Sequence, residues 1–199
     1  ISAVLGIILW KVGPHGPAWT ASAGGGFRVI QQVFLPVVAI SSAVAAIVGQ
    51  NLGAGHSSRV RRAALGSLAL AATYGAVTSV LLFVFGDKAG LLFIKDPAWL
   101  PVAVTYFQWS SWMGLTVALS ILPTFVLQAA GQAIQPALVS MGRVVLLVAI
   151  VLALPDDQPG LVFAASTATA ILEGFCDTGL LLRFLKRLPP DSGTPAADA

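Results

Sequence analysis

Long apolar runs, each closed by a short cluster of Gly, Pro or charged residues, follow one another along almost the whole chain. A run of about 20 apolar residues is what a helix needs to cross roughly 30 Å of hydrocarbon, and the pattern predicts five complete spans, at 27–52, 63–85, 98–130, 137–154 and 160–182. The segment 1–12 is also apolar, but Ile1 to Trp10 covers only half of a crossing, so it is expected to be a truncated helix. Between it and the first full span, GPHGPAWTASAGGG is rich in breakers and reads as a connection. The 98–130 run is long enough to tilt or protrude. The end of the chain, 183–199, carries LPPDSGTPAADA and is expected to be a disordered tail. Strict alternation is absent, which argues against a barrel.

Composition carries the reading from helices to lipid. Of 199 residues, 57% are hydrophobic and 10% charged, with a mean hydropathy of +0.88; such a chain cannot build a polar shell for a core in water. The fold class is therefore an all-α integral membrane protein. Cys176 is the single cysteine, which excludes a disulfide scaffold. The net charge of +3 calls for no nucleic-acid partner, because the basic residues lie at the ends of apolar runs, where topology accounts for them. Arg59, Arg61, Arg62, Arg143, Arg183, Lys186 and Arg187 fall on one side. Lys11, Lys88 and Lys95 fall on the other, diluted by Asp87 and Asp96, with Asp156 and Asp157 in the loop 155–159. The loops 53–62 and 131–136 and the C-terminus are accordingly expected inside the cell, in a multi-pass plasma (inner) membrane protein.

Polar residues within the spans are the candidate chemistry. Glu173 and Asp177, four apart, share a helix face and could hold a proton or a sodium ion; alternatively Asp177 pairs with Arg143 or water and Glu173 bonds a neighbour. Arg28, Gln31, Gln32, Gln108 and Gln128 should avoid lipid and face a cavity, with Tyr106, Phe107, Trp109 and Trp112 as aromatic walls for flat cations; the alternative for Trp99, Trp109 and Trp112 is an interfacial aromatic belt. Pro36 and Pro123 free the carbonyls of Gln32 and Leu119 and mark kinks, static or mobile. Gly49 and Gly53 form a small-residue face suited to close helix packing, with a gating role as the alternative. His15 and His56 lie on opposite sides and Cys176 has no histidine partner, so neither a metal site nor an enzyme nucleophile is expected.

The segment GFRVIQQVFLPVVAISSAVAAIVGQNLGAGHSSRVRRA resembles the multidrug and toxic compound extrusion (MATE) family of cation-coupled efflux transporters. Arg28, Pro36, Gly49, Gln50, Asn51, Gly53 and Gly55 fall where that family has an outer Arg, a mid-helix Pro and a VGQxxGAG motif. LQAAGQAIQPALVS is similar to the family's small-residue GxGDTRTP loop, although Gln132, Ala133 and Ile134 replace its polar residues. The resemblance implies one six-helix lobe of a two-lobe, twelve-helix transporter, with helix seven truncated and helices eight to twelve complete. It also implies a missing N-terminal lobe as partner, small amphipathic cations as substrates, H+ or Na+ as coupling ion and no tightly bound cofactor. The family's second-lobe coupling acids lie in helices seven and ten, and the 98–130 span contains none. A lipid-linked oligosaccharide flippase of the same superfamily and a non-transporting scaffold are the alternatives.

Overall fold

The computed structural model describes residues 2–91 and 99–191. Lys95, Asp96, the start of the predicted third span at Ala98 and the tail 192–199 lie outside them.

All regular structure among these residues is helical: α1 (Ser2–Val12), a single 3-10 turn (Gly13–His15), α2 (Pro17–Gly53), α3 (Ser57–Leu91), α4 (Leu100–Ser110), α5 (Met113–Ala129), α6 (Ile134–Ala153) and α7 (Leu161–Arg187). Three of these helices are long and apolar enough to span a membrane, and α4 with α5, bent by 42° at their break, passes the same test only when taken together. α7 is long enough, but its buried face carries Ser166, Thr167, Thr169, Glu173 and Asp177. Its polarity is turned inward, away from lipid. Large apolar side chains such as Leu70, Phe83, Met141 and Val145 stand exposed on α3 and α6, as a lipid-facing surface requires.

The predicted connection at 13–26 is mostly helix. Pro17 occupies the first turn of α2, where its missing N–H costs nothing, and the last of the glycines is required because a neighbour fills the space. A Cβ on Gly26 would collide with the Tyr106 ring. Likewise α3 starts at Ser57, so Arg59, Arg61 and Arg62 belong to its first turns, and it bends at Phe85, whose backbone departs from helical values. The long run 98–130 neither tilts nor protrudes as one rod: it breaks at Ser111 and Trp112.

Two glycine turns end helices in the same way. Gly55 has φ +73°, its N–H donates to the Leu52 carbonyl (3.1 Å) and the His56 N–H donates to that of Asn51 (2.9 Å). Gly131 has φ +76°, with Gly131 N–H to Gln128 O (3.0 Å) and Gln132 N–H to Leu127 O (2.8 Å). Both are Schellman caps that satisfy the last carbonyls of α2 and α5. They sit at one end of the bundle, together with the exit of α7.

The two ends are each tied by polar contacts. At one, Lys11 Nζ meets Asp156 Oδ1 (2.6 Å) and the Leu154 carbonyl (2.9 Å). At the other, Asp191 accepts from the Ser58 N–H (2.7 Å) and hydroxyl (2.5 Å), and Arg61 donates to the Leu188 carbonyl (2.9 Å). The expected disordered tail is therefore helical to Arg187 and anchored as far as Asp191.

Between these ends lie two cores. Val12, Ile30, Tyr106, Leu147 and Phe163 centre one, where Tyr106 meets Phe163 edge to face at 5.0 Å. Val48, Val60, Leu122, Val126 and Leu181 centre the other. Tyr106 and Phe107 are thus core residues, 3% and 2% exposed, and not walls of a substrate cavity. Helices α3 and α5 cross backbone against backbone, where a Cβ on Gly75 would stand 2.5 Å from the Gly114 carbonyl. Gly49 and Gly53 have nothing within 4 Å of where a Cβ would be. The small-residue packing expected there is found at Gly75 and Gly114 instead.

Candidate functional site

The site grows from the face of α7 that the helical repeat turns inward: Thr167, Ala170, Gly174, Asp177, Thr178 and Leu181. Gly174 lets this face approach α5, a Cβ there standing 3.1 Å from the Thr116 carbonyl. The approach lets two α7 hydroxyls serve the broken span. Pro123 leaves the Leu119 carbonyl without its helical donor, and Thr178 Oγ1 donates to it (2.8 Å). The α4–α5 break frees the Trp109 carbonyl, which accepts from Thr167 Oγ1 (2.9 Å). From the other flank, Ser79 Oγ of α3 accepts from the Leu115 N–H (3.1 Å). Broken backbone at membrane depth persists where protein satisfies it in this way.

Arg143 lies ten residues into α6, near its middle, so it is not the loop charge that the sequence suggested. Its Nη1 contacts Glu173 Oε2 at 2.7 Å, with side chains 16% and 8% exposed. Ser140 Oγ donates to Glu173 Oε1 (2.6 Å). Both Glu173 oxygens are therefore engaged. One turn further along α7, Asp177 is fully buried; Ser120 Oγ of α5 donates to its Oδ2 (2.7 Å), while among the described residues its Oδ1 has no partner, nor has Arg143 Nε. The pairing of Arg143 offered as one alternative was with Asp177; its partner is Glu173 instead.

A cavity of about 230 Å³ opens beside this network. Arg143, Glu173, Ser140, Ser120, Thr116 and Thr124 form its polar wall, and Phe27, Phe34, Phe125 and Met113 are among the apolar residues opposite. None of the expected cavity residues lines it. Arg28, Gln31, Gln32, Gln108, Trp109, Trp112 and Gln128 are all exposed on the outside of the helical bundle, as is Pro36, whereas Pro123 is buried. Gln50 and Gly53 are exposed and Asn51 half-buried at the α2 terminus, where Asn51 Nδ2 donates to the Ile47 carbonyl (2.8 Å). Among the described residues no three His, Cys, Asp or Glu side chains come together.

The residues that sequence reasoning missed as site components are Ser120, Ser140, Thr167 and Thr178; Arg143 was named, but as a partner of Asp177. A hydroxyl at the right turn of a helix leaves no mark in composition, but the spacing of Thr167, Gly174 and Thr178 on the face of Asp177 is a helical stripe that could have been followed.

Comparison with solved structures gives a likeness to a MOP superfamily transporter from Pyrococcus furiosus, described as having a binding pocket of reverse polarity that suggests a different function. The TM-score is 0.79 at 11% identity, over 94% of this chain and 42% of that one. An uncharacterized 21 kDa protein encoded in the iaaL 5' region of Pseudomonas savastanoi is 37% identical over 86 residues, 43% of this chain and 28% of the relative. The chain thus spans less than half of either protein's length. The all-helical fold is shared with part of that transporter. The profile of the MatE family matches residues 2–154, three quarters of the chain, and the chain belongs to that family.

Proposed function

We propose that this chain forms one lobe of a secondary active exporter of amphipathic organic cations, driven by exchange with inward-moving H+ or Na+. A transporter of this family and fold is the starting point. The observation that carries the coupling step is Asp177: a fully buried carboxylate near the middle of α7, one oxygen held by Ser120 and the other unpartnered among the described residues. A carboxylate at that depth is costly unless it takes up a proton or a cation. Glu173 is neutralised by Arg143, so Asp177 is the member of the pair that exchanges the ion. Arg143's engagement also weighs against the flippase alternative, which needs free cations for a pyrophosphate.

Arg28, Gln31 and Gln32 then face a second lobe across the substrate cleft, their exposure being the consequence of reading one lobe alone. Substrate sites of such carriers lie at the repeat interface. Orientation follows from charge. Arg59, Arg61, Arg62, Arg183, Lys186 and Arg187 cluster at the end of the bundle that holds the glycine caps, so the 53–62 and 131–136 loops and the C-terminus face the cytoplasm of a plasma membrane protein.

The test reconstitutes the intact transporter in liposomes and follows a fluorescent organic cation under imposed proton or sodium gradients. Wild type should move the dye with one gradient. Asp177→Asn, alone and with Glu173→Gln, should reduce gradient-driven movement at least about tenfold while inserting normally; unchanged coupling in folded Asp177→Asn overturns the assignment.

A further inference from the structure

The 230 Å³ cavity is smaller than the roughly 300–1,000 Å³ of a drug-sized site, and α1, α2, α5, α6 and α7 all contribute to its lining. Its size and its place among the helices of one lobe set it apart from the interlobe cleft proposed for large cations. Its charged liners are one cation and one anion, Arg143 and Glu173, already joined at 2.7 Å. A bare cation entering would find Glu173 neutralised and Arg143 repelling it. A bare anion would meet the converse. Either would also bring a net charge into a region of low dielectric, where an unpaired charge costs several kcal/mol.

A ligand carrying both charges meets neither penalty. From this geometry we infer that the cavity binds a small zwitterion with an apolar body, the chemistry of an aromatic α-amino acid. Its carboxylate lies against Arg143, whose buried Nε has no partner among the described residues, and its ammonium against Glu173. The four charges then alternate in sign, and the site stays neutral. Thr116 donates to the Met113 carbonyl (3.2 Å) and Ser120 to Asp177 (2.7 Å), so both hydroxyl oxygens keep lone pairs for the ammonium. Phe27, Phe34 and Phe125 receive the apolar body by ring contacts. The remaining nearby titratable group, Asp177, sits behind Ser120 and does not line the space.

This inference goes beyond the coupling scheme and does not rest on it. The experiment uses the intact transporter in nanodiscs with radiolabelled phenylalanine as probe, and as competitors phenethylamine and 3-phenylpropionate, which keep the ring and retain only the ammonium or only the carboxylate. Phenylalanine is expected to bind saturably, with each competitor at least about tenfold weaker, a difference of about 1.4 kcal/mol. Arg143→Gln combined with Glu173→Gln should abolish the preference. Ala170→Leu, which fills the cavity and leaves both charges, should weaken phenylalanine binding at least about tenfold and decides the matter if the double variant does not fold. Phenethylamine binding as tightly as phenylalanine, phenylalanine binding unchanged in Ala170→Leu, or no saturable binding overturns the inference. Gradient-driven dye movement, measured on the same preparations, reports separately on Asp177.

Discussion

Glu173 and Asp177 stand one turn apart on α7, yet their surroundings assign them different work. Glu173 has both oxygens bonded, one by Arg143 and one by Ser140, whereas Asp177 keeps one oxygen unpartnered. Removing one member of a buried ion pair leaves the other uncompensated, at a cost of about 3–5 kcal/mol, while removing both is cheaper. Arg143→Gln and Glu173→Gln are each expected to lower the unfolding midpoint in detergent more than the double variant does; a double variant as damaged as the sum of the singles would show that the pair is not a unit. The acids were legible in the sequence because charged residues are scarce in apolar runs. The role of Arg143 was legible only in part: the sequence offered it as a partner for Asp177, whereas its bond to Glu173, 30 residues away along the chain, is set by how α6 packs on α7.

At the scale of elements, most spans could be read from apolar runs, since lipid imposes both length and composition on a crossing helix. The break at Ser111 and Trp112 could not, because neither Gly nor Pro marks it; what sustains it is tertiary, the hydroxyls of Ser79 and Thr167. The Pro123 kink was legible, and its remedy, Thr178, lies on another helix. Thr178→Val should destabilise by about 0.6 kcal/mol, up to about 1.7. In the Pro123→Ala background, where the restored backbone N–H at that position can serve the Leu119 carbonyl, the loss should shrink; equal losses in both backgrounds would exclude the link. Gly75→Leu should disrupt the α3–α5 crossing, because the Gly114 backbone leaves no room for a Cβ, and the fraction recovered as a monodisperse peak on size exclusion should fall sharply. Gly49→Ala, with open space around it, should behave as wild type in the same assay.

At the scale of the whole molecule, opposite ends of the bundle are stitched by carboxylates whose protonation equilibria are set by their partners. Lys11 donates a hydrogen bond to Asp156 and faces it with its charge, holding that carboxyl below its usual range, and the Ser58 hydroxyl and N–H do the same for Asp191. A lowered folded value means that each contact contributes above the ordinary carboxylate range, near pH 4, and is lost as pH falls through the lowered value. Amide protection at residues 58–62, taken relative to the intrinsic exchange rate at each pH, should therefore fall only below that range, and Asp191→Asn should show the same lowered protection at neutral pH. Residues 1–199 expressed alone in a drug-sensitive strain should give no resistance, whereas co-expression with a complementary lobe should restore it, because one lobe provides one wall of an interlobe cleft. The order in which the chain leaves the ribosome gives Thr167 and Thr178 a further meaning. α4 and α5 are synthesised before α7, so until the last helix arrives the Trp109 and Leu119 carbonyls have no donor from it and lipid can offer none. On that order of synthesis the broken span is expected to stay incomplete until α7 supplies its two hydroxyls. Chains stalled before residue 167 should accordingly expose α5 to cysteine labelling from water, and chains extended past residue 178 should protect it.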